Sequence, residues 1–297
     1  MVAIVDADCV PDDGCLALIA RLAHERRQPV QAAYTMAAPA AMQGLNLVSA
    51  FAVYVKNVVR PRGLQRLGLP CLLNGSGMAF PWGTVEATPY STGHLAEDYR
   101  YTMDLAVRGS FVIPCMEATV RSELPSERKG FFMQRTRWEQ GHLAHMLQEI
   151  PRALVSFLRT GSPRILALLP DLIVPPLSLL AGSMALGLLA LAVVALATGL
   201  WAPLAGLSAA SAIAGAGLFA VWFRDGRTML PAAMALQIPK YMLVKAPLYT
   251  RFITARERTW RRTDRAAGPG HDAVGAPAPH VAAFSATPNS GAQPLNR

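Results

Sequence analysis

The chain has 297 residues and a mass of 31.8 kDa; 28 Lys and Arg against 19 Asp and Glu give a net charge of +9 and a pI near 9.8. Hydrophobic residues make up 52% and charged residues 16%, with a mean hydropathy of +0.28, against roughly 25% charged in an ordinary soluble domain. This balance excludes an intrinsically disordered protein and assigns the excess apolar content to membrane segments. Cys9, Cys15, Cys71 and Cys115 form no C-x-x-C pair and have no His at zinc spacing, which argues against a disulfide framework or a zinc site. Met1 to Val5 is too short an apolar run for a signal peptide, so later segments are expected to reach the membrane.

Residues 1 to about 125 alternate between strand-like and helix-like stretches. Val2 to Val5 reads as a buried strand. Asp12 or Asp13 can cap a helix from Cys15 to Glu25, with Leu16, Leu18, Ile19 and Leu22 as its apolar stripe. A second strand fits Val30 to Met36, and a helix fits Leu45 to Val59, which Pro61 is expected to stop. Asn74-Gly75-Ser76-Gly77 reads as a turn, Met78 to Trp82 as a strand and Ala96 to Arg108 as a helix; two short extended pieces follow at Phe111 to Pro114 and Ala118 to Arg121. The alternation predicts a layered α/β domain with a mostly parallel sheet.

From Lys129 to Leu158 the pattern is helical, with Phe131, Phe132, Trp138, Leu143 and Met146 interleaved with Arg135, Arg137 and Arg152. That fits helices at a membrane surface, and equally a helix packed on the sheet. Leu172 to Leu200 and Leu204 to Phe223 are apolar runs without charge, each long enough to cross a bilayer. Arg152, Arg159 and Arg164 precede the first run, and Arg224 and Arg227 follow the second. The turn Trp201-Ala202-Pro203 carries no Lys or Arg, so both flanks are expected on the cytoplasmic side. Met229 to Ile253 is interrupted by Pro231, Pro239, Lys240, Lys245 and Pro247 and reads as an interfacial or re-entrant segment, with a third span as the alternative.

Three groups of residues can carry chemistry. Asp6-Ala7-Asp8 leaves a strand at the end where open α/β sheets bind ligands, and two such carboxylates can hold a divalent cation; a capped, solvated loop accounts for them equally. Glu97-Asp98 opens a helix, where acids suit the dipole, and one of the pair can also serve as a general base. In Gln134-Arg135-Thr136-Arg137-Trp138 an Arg can clamp a diphosphate and a Trp face can stack on a sugar, although an Arg-Trp membrane anchor has the same composition.

In this order, followed by membrane spans, the set resembles the family 2 glycosyltransferases of the GT-A fold. Within them it looks like the membrane-bound branch that contains cellulose, chitin, hyaluronan and poly-N-acetylglucosamine synthases. The resemblance implies that Asp6 and Asp8 bind Mg²⁺ or Mn²⁺ and, through it, the nucleotide-sugar diphosphate. It implies that Asp98 deprotonates the acceptor hydroxyl for inverting attack, with Glu97 assisting. Gln134, Arg137 and Trp138 match the Gln-x-x-Arg-Trp motif, with Arg137 near the diphosphate and Trp138 at the acceptor sugar. Gly75, Ser76 and Gly77 match the glycine-rich strand entry beside the donor sugar. The implied partners are a nucleotide-sugar donor, a polysaccharide or lipid-linked acceptor and the lipid bilayer, with no nucleic acid. The implied location is a bacterial-type inner membrane with the catalytic part cytoplasmic. Transfer to polyprenyl phosphate is the weaker enzymatic reading, because such enzymes generally lack Gln-x-x-Arg-Trp.

The expected organisation is a partial GT-A catalytic domain over 1–128 and interfacial helices with the Gln-x-x-Arg-Trp motif over 129–164. A membrane region over 165–253, a basic juxtamembrane segment over 254–265 and a disordered tail over 266–297 follow. Thr259-Trp260-Arg261-Arg262-Thr263 is similar to the gating segment of some synthases, and reads equally as a polybasic lipid anchor. In the family, most of a nucleotide-binding half precedes the Asp-x-Asp strand, whereas Met1 here lies within that strand. The sequence thus reads as a member lacking its N-terminal part, through a misassigned start or a truncated gene. The alternative function is an inactive remnant that serves as a membrane scaffold or partner subunit.

Overall fold

A computed structural model describes residues 1–38, 44–90, 97–125 and 128–254. Strands β1 (Val2–Ile4), β2 (Val10–Pro11), β3 (Val30–Ala37), β4 (Met78–Phe80) and β5 (Ile113–Glu123) form one sheet in the order β1-β4-β3-β5-β2. Only β3 and β5 run parallel; β1 with β4, β3 with β4, and β2 with β5 are antiparallel. The expected mostly parallel sheet is therefore corrected. Alternation along the sequence records that helices separate strands, but not from which end the chain re-enters the sheet. β1 lies at the edge, and of its residues only Val2 is buried, which also corrects the expectation of a buried strand. The two extended pieces after 111 are one strand whose register against β3 slips between Cys115 and Thr119.

Helix α1 (Cys15–Arg26) buries Cys15, Ile19 and Ala23, while Leu16 is exposed and Leu18 and Leu22 are half-buried. Its N-cap is Gly14 at φ 74°, not an aspartate. Asp12 contributes its backbone carbonyl to the Cys15 N–H, and its carboxylate pairs with Arg121 at 2.9 Å. Pro61 does not end the second helical stretch. Helix α2 (Leu45–Tyr54) runs through a π-turn at Val55–Val59 into α3 (Arg60–Arg66), where Pro61 occupies the first turn. The Arg60 N–H bonds to the Val55 carbonyl, five residues back. The widened turn restarts the helix one residue before Pro61, so the missing N–H falls where none is needed.

Short α4 (Trp82–Ala87) precedes α5 (Glu97–Val107), which carries the paired acids. Helix α6 (Arg128–Thr160) spans 33 residues, and α7 (Pro163–Ile173) packs on it. Leu72, Tyr99, Met103, Leu168 and Leu169 form a core between α5, α6 and α7. A larger core of Ile19, Val30, Tyr34, Phe51, Val120 and Phe131 joins the sheet to α1, α2 and α6.

Helices α8 (Leu177–Thr198) and α9 (Ala202–Val221), the latter prolonged by a π-turn to Gly226, are long and apolar enough to cross a membrane. Of their residues, almost none is fully buried. Where the second ends, Asp225 accepts a hydrogen bond from Tyr54 at 3.2 Å and pairs with Arg62 at 3.6 Å. A short α10 (Ala232–Ala235) leads to α11 (Ile238–Thr254), and α11 returns to α6 through a buried ion pair of Lys245 with Glu139. The segment Thr259 to Thr263 and the tail lie outside the described residues.

Candidate active site

The Asp-x-Asp loop closes on itself and on the glycine turn. The Cys9 N–H bonds to the Asp6 carbonyl at 2.9 Å, and the Asp6 N–H donates to Ser76 Oγ at 3.1 Å. Ser122 Oγ donates to the Asp8 carboxylate at 3.3 Å. The ligand atoms of Asp6, Asp8 and Cys9 all lie within 4.8 Å of one another. Burial pushes the Cys9 thiol above its ordinary value, and it lies 3.8 Å from the Tyr34 hydroxyl. A protonated thiol is a poor ligand, so the donors on offer are two carboxylates. Such a set fits a hard divalent cation of the Mg²⁺ or Mn²⁺ kind and not a thiophilic one.

The turn at 74–77 is held by a residue the motifs did not single out. Gln31 is fully buried. Its Nε2 donates to the carbonyls of Ser76 at 2.8 Å and Ala32 at 2.9 Å, and its Oε1 accepts the Asn74 N–H at 2.8 Å. Gly77 adopts φ 71°, and a Cβ there would stand 2.7 Å from Val120 Cγ2 and 3.2 Å from Ala32 Cβ. Both the dihedral and the space therefore require glycine. Gly75, at φ 87°, instead faces the catalytic candidate, since its Cβ would come 3.9 Å from Asp98 Oδ2.

Glu97 and Asp98 occupy the first turn of α5. The turn is fixed to the strand entry through Thr102, whose hydroxyl donates to the Asp98 carbonyl at 2.8 Å and accepts the Leu73 N–H at 3.0 Å. Tyr90 hydrogen-bonds Glu97. Its hydroxyl is pushed above its ordinary value first by burial and then by the charges of Glu97, Asp98 and Asp6. Burial raises the Asp98 carboxyl to about 6, and the nearby Lys56 ammonium is the strongest influence in the opposite direction. Lys56 itself is lowered by burial to about 8. Its Nζ lies 5.0 Å from the Tyr99 ring centroid. Lys56, Arg60, Asn74, Tyr99, His142 and Asp171 line a small cleft. In it, Asn74 Nδ2 and the Tyr99 hydroxyl have no hydrogen-bond partner among the described residues.

Helix α6 turns polar residues inward. Gln134, Arg135, Glu139, Gln140, His142, His145 and Glu149 are buried. The Arg135 guanidinium lies 5.7 Å from the Phe131 ring centroid and 5.4 Å from that of Trp138, and it donates to the Ser49 carbonyl at 3.3 Å. Arg137 and Trp138 are half-buried, and Trp138 packs against the larger core. His142 and His145 meet Tyr99 edge-on at 5.2 and 5.5 Å, so α6 reaches the paired acids through the residue next to Asp98. Burial and then the charges of Lys56 and Arg60 lower His142 to about 3, which keeps it neutral.

The structure thus brings Asp6, Asp8 and Ser76 together and places Asp98 beside Gly75, with Glu97 next to it in the first turn of α5. Gln134 lies in the interior of α6 with its Oε1 unpartnered among the described residues, while Trp138 meets the core. The motifs did not single out Gln31, Lys56 or Tyr90. Lys56 alone left a signal, as the one charge within the apolar stretch from Leu45 to Val59.

No curated protein matches the chain. The family described as Glycosyl transferase family group 2 matches residues 1–224, from the Asp-x-Asp strand through the second apolar helix. The mixed α/β sheet followed by long helices is consistent with that match, and the chain belongs to glycosyl transferase family group 2.

Proposed function

We propose that the chain is an inverting glycosyltransferase that moves a sugar from a nucleotide-sugar to a polysaccharide or lipid-linked acceptor at the cytoplasmic face of a bacterial-type inner membrane. The observation that carries this reading is the glycine turn at which both acidic motifs meet: its Ser76 accepts the Asp6 N–H at 3.1 Å, and its Gly75 faces Asp98, whose Oδ2 would lie 3.9 Å from a Cβ there. In the reaction, the acceptor oxygen bonds to the anomeric carbon as the bond from that carbon to the diphosphate oxygen breaks. The acceptor hydroxyl proton passes to Asp98, and the nucleoside diphosphate leaves with the electron pair. A carboxyl raised to about 6 is still ionised at neutral pH and is a stronger base than an ordinary aspartate.

Asp6 and Asp8 would hold a divalent cation, Mg²⁺ or Mn²⁺, which when bound supplies positive charge to the diphosphate. Glu97, held by Tyr90, would orient the acceptor beside Asp98. Gly75, Ser76 and Gly77 would border the donor sugar, Arg137 the diphosphate and Trp138 the acceptor, with Gln134 supporting that helix face. Residues 1–128 would form the partial GT-A unit, and 129–164 the helices that seat it at the membrane. Contacts from both ends of the hairpin support the cytoplasmic orientation. Asp225 meets Tyr54 and Arg62, and α7, just before the first span, packs on α6. The Lys245–Glu139 pair supports a return of α11 to the catalytic side in place of a third crossing.

The test is Asp98→Asn in the full chain in membranes, with UDP-glucose and UDP-N-acetylglucosamine as donor probes and nucleoside diphosphate release as the readout. The variant folds, and its release falls by on the order of a thousandfold. Undiminished release from the variant would overturn the assignment.

A further inference from the structure

The small cleft next to the paired acids is lined by donors that lack acceptors among the described residues. Lys56 from the π-turn, Arg60 at the start of α3, Asn74 from the glycine turn, Tyr99 from α5, His142 from α6 and Asp171 from α7 surround it. Lys56, Arg60 and Asn74 are half-buried and form its open side, while Tyr99, only 5% exposed, and His142 form its buried wall. The Tyr99 ring is held by the Lys56 ammonium, 5.0 Å from its centroid, and by His142, edge-on at 5.2 Å. Its hydroxyl has no hydrogen-bond partner among the described residues, and neither has Asn74 Nδ2, which can only donate. Lys56 forms no ion pair among the described residues. Asp171 engages Arg60 through Nη2 alone, with its carboxylate and, at 2.9 Å, its carbonyl, which leaves the other guanidinium N–H groups for a ligand. Buried donors without acceptors are costly in a folded chain, and two cations against one carboxylate leave a positive surplus. A ligand that answers both is an anion with several oxygens.

The place of the cleft in the fold fixes how that anion arrives. Asp171 stands six residues before Leu177, where the first membrane-length helix begins, a stretch of at most about 20 Å even when fully extended. The Arg60–Asp171 pair therefore ties the cleft to the foot of that helix, and Tyr99 is the residue that follows Asp98. We propose that the cleft binds the phosphate that joins a membrane lipid to the sugar of a lipid-linked acceptor, with Lys56 and Arg60 opposite its charge and Asn74 Nδ2 and the Tyr99 hydroxyl donating to its oxygens. This rests on the reading of the chain as a glycosyltransferase, and it selects the lipid-linked acceptor from the two classes named above. Charge-assisted hydrogen bonds of this kind are the strong ones, and a phosphate keeps its charge throughout the working pH range. The phosphate is an anchor and not the nucleophile. The hydroxyl that attacks the donor belongs to the sugar carried on it, and the proton of that hydroxyl still passes to Asp98.

The experiment is titration calorimetry of the full chain in dodecyl maltoside micelles, with chelator present and no nucleotide-sugar. Farnesyl phosphoglucose is the probe, and farnesyl glucoside supplies the same lipid and sugar without the phosphate. The wild-type chain binds the phosphoglucose about tenfold or more tightly than the glucoside. Tyr99→Phe removes a hydroxyl that bonds no described residue in the free chain, so it melts at or above the wild-type midpoint. It nevertheless binds the phosphoglucose about fivefold more weakly, with its affinity for the glucoside unchanged. Lys56→Met weakens the phosphoglucose by on the order of tenfold or more, and Lys56→Gln replaces it if that variant does not fold. Equal binding of the two probes, or wild-type affinity for the phosphoglucose in either variant, overturns the proposal. Displacement of the phosphoglucose by inorganic phosphate or by glucuronate at equal concentration also overturns it, since the cleft would then be a site for free phosphate or for an acidic sugar. Asp98→Asn keeps binding apart from transfer, and it should bind the phosphoglucose as the wild type does. Undiminished transfer in that variant would sink the reading of Asp98 as the base, while the two probes would still decide what the cleft binds.

Discussion

Ser76 Oγ accepts the backbone N–H of Asp6 at 3.1 Å, across 70 residues of sequence, and so fastens the Asp-x-Asp loop to the glycine turn. Ser76 is fully buried. Without its hydroxyl this hydrogen bond is lost, and the loop loses one of the tethers that set the spacing of its two carboxylates.

Ser76→Ala is therefore expected to weaken divalent-cation dependence more than folding. Loss of one such hydrogen bond costs about 1 kcal/mol. In a titration of transfer activity with Mn²⁺ this appears as an increase of about fivefold in the half-saturating concentration, with a thermal midpoint within a few degrees of wild type.

The two glycines of the turn separate structure from chemistry. Gly77→Ala places a methyl 2.7 Å from Val120 Cγ2 at φ 71°, and it should cost about 2–4 kcal/mol by overpacking and left-handed strain together. Val120→Ala in the same chain should restore part of that loss. Among the described residues, Gly75→Ala meets only Asp98 Oδ2, at ordinary contact distance. It is expected to lose about 1 kcal/mol for its positive φ while reducing transfer far more than Gly77→Ala with its rescue. Thermal midpoints and initial rates measured side by side distinguish the two.

Asp98 makes stability depend on pH in a predictable sense. Its carboxyl is raised from 3.8 to about 6 on folding, so the folded chain holds the proton more tightly than the unfolded one and is penalised where the group is ionised. Asp98→Asn, which is always neutral, should melt higher than wild type, by on the order of 2 kcal/mol above about pH 7. The difference shrinks as the pH falls through about 6 and vanishes below 3.8. Thermal scans at pH 8 and pH 4 test this directly; a variant less stable than wild type at pH 8 would contradict it.

Most elements around the site were readable because their signals are local. The acids of Asp6-Ala7-Asp8 and Glu97-Asp98 follow a strand and open a helix, as their positions suggested, and the glycines of the turn announce a backbone that other residues cannot follow. Four features were hidden, one by an irregular turn and three because they depend on partners far along the chain. Strand direction is not encoded in alternation, so the mixed sheet was missed. The π-turn that carries the helix past Pro61 gives no periodic signal, because it alters the period by a single residue. The pattern of α6 fitted a membrane-surface helix and a packed one equally, since Gln134, Glu139 and His142 look solvated until Tyr99, Lys245 and Tyr249 are placed against that helix. Gln31 is the plainest case. A lone polar residue in an apolar strand has no motif, and its role exists only once the turn at 74–77 lies beside it.

The same placement gives the strongest stability prediction. Glu139 stands two residues after Arg137 on α6 and is buried against Lys245 of α11. Its other oxygen accepts from the Tyr249 hydroxyl at 2.6 Å, and Ser178 at the start of α8 lies 2.6 Å from that hydroxyl and 3.3 Å from Lys245 Nζ. One carboxylate thus joins the helix bearing the Gln-x-x-Arg-Trp motif to the first membrane-length helix and to α11. Lys245→Met leaves Glu139 charged and buried with only hydroxyl donors, a change of the kind that costs about 3–5 kcal/mol. Adding Glu139→Gln removes the stranded charge and keeps an acceptor for Tyr249, so the double variant should recover most of the stability. If the pair served packing alone, transfer would recover along with the thermal midpoint. Because the pair also sets α6 against α11, the double variant is expected to remain impaired in transfer at temperatures where it is fully folded, which paired melting curves and initial rates in reconstituted vesicles would reveal.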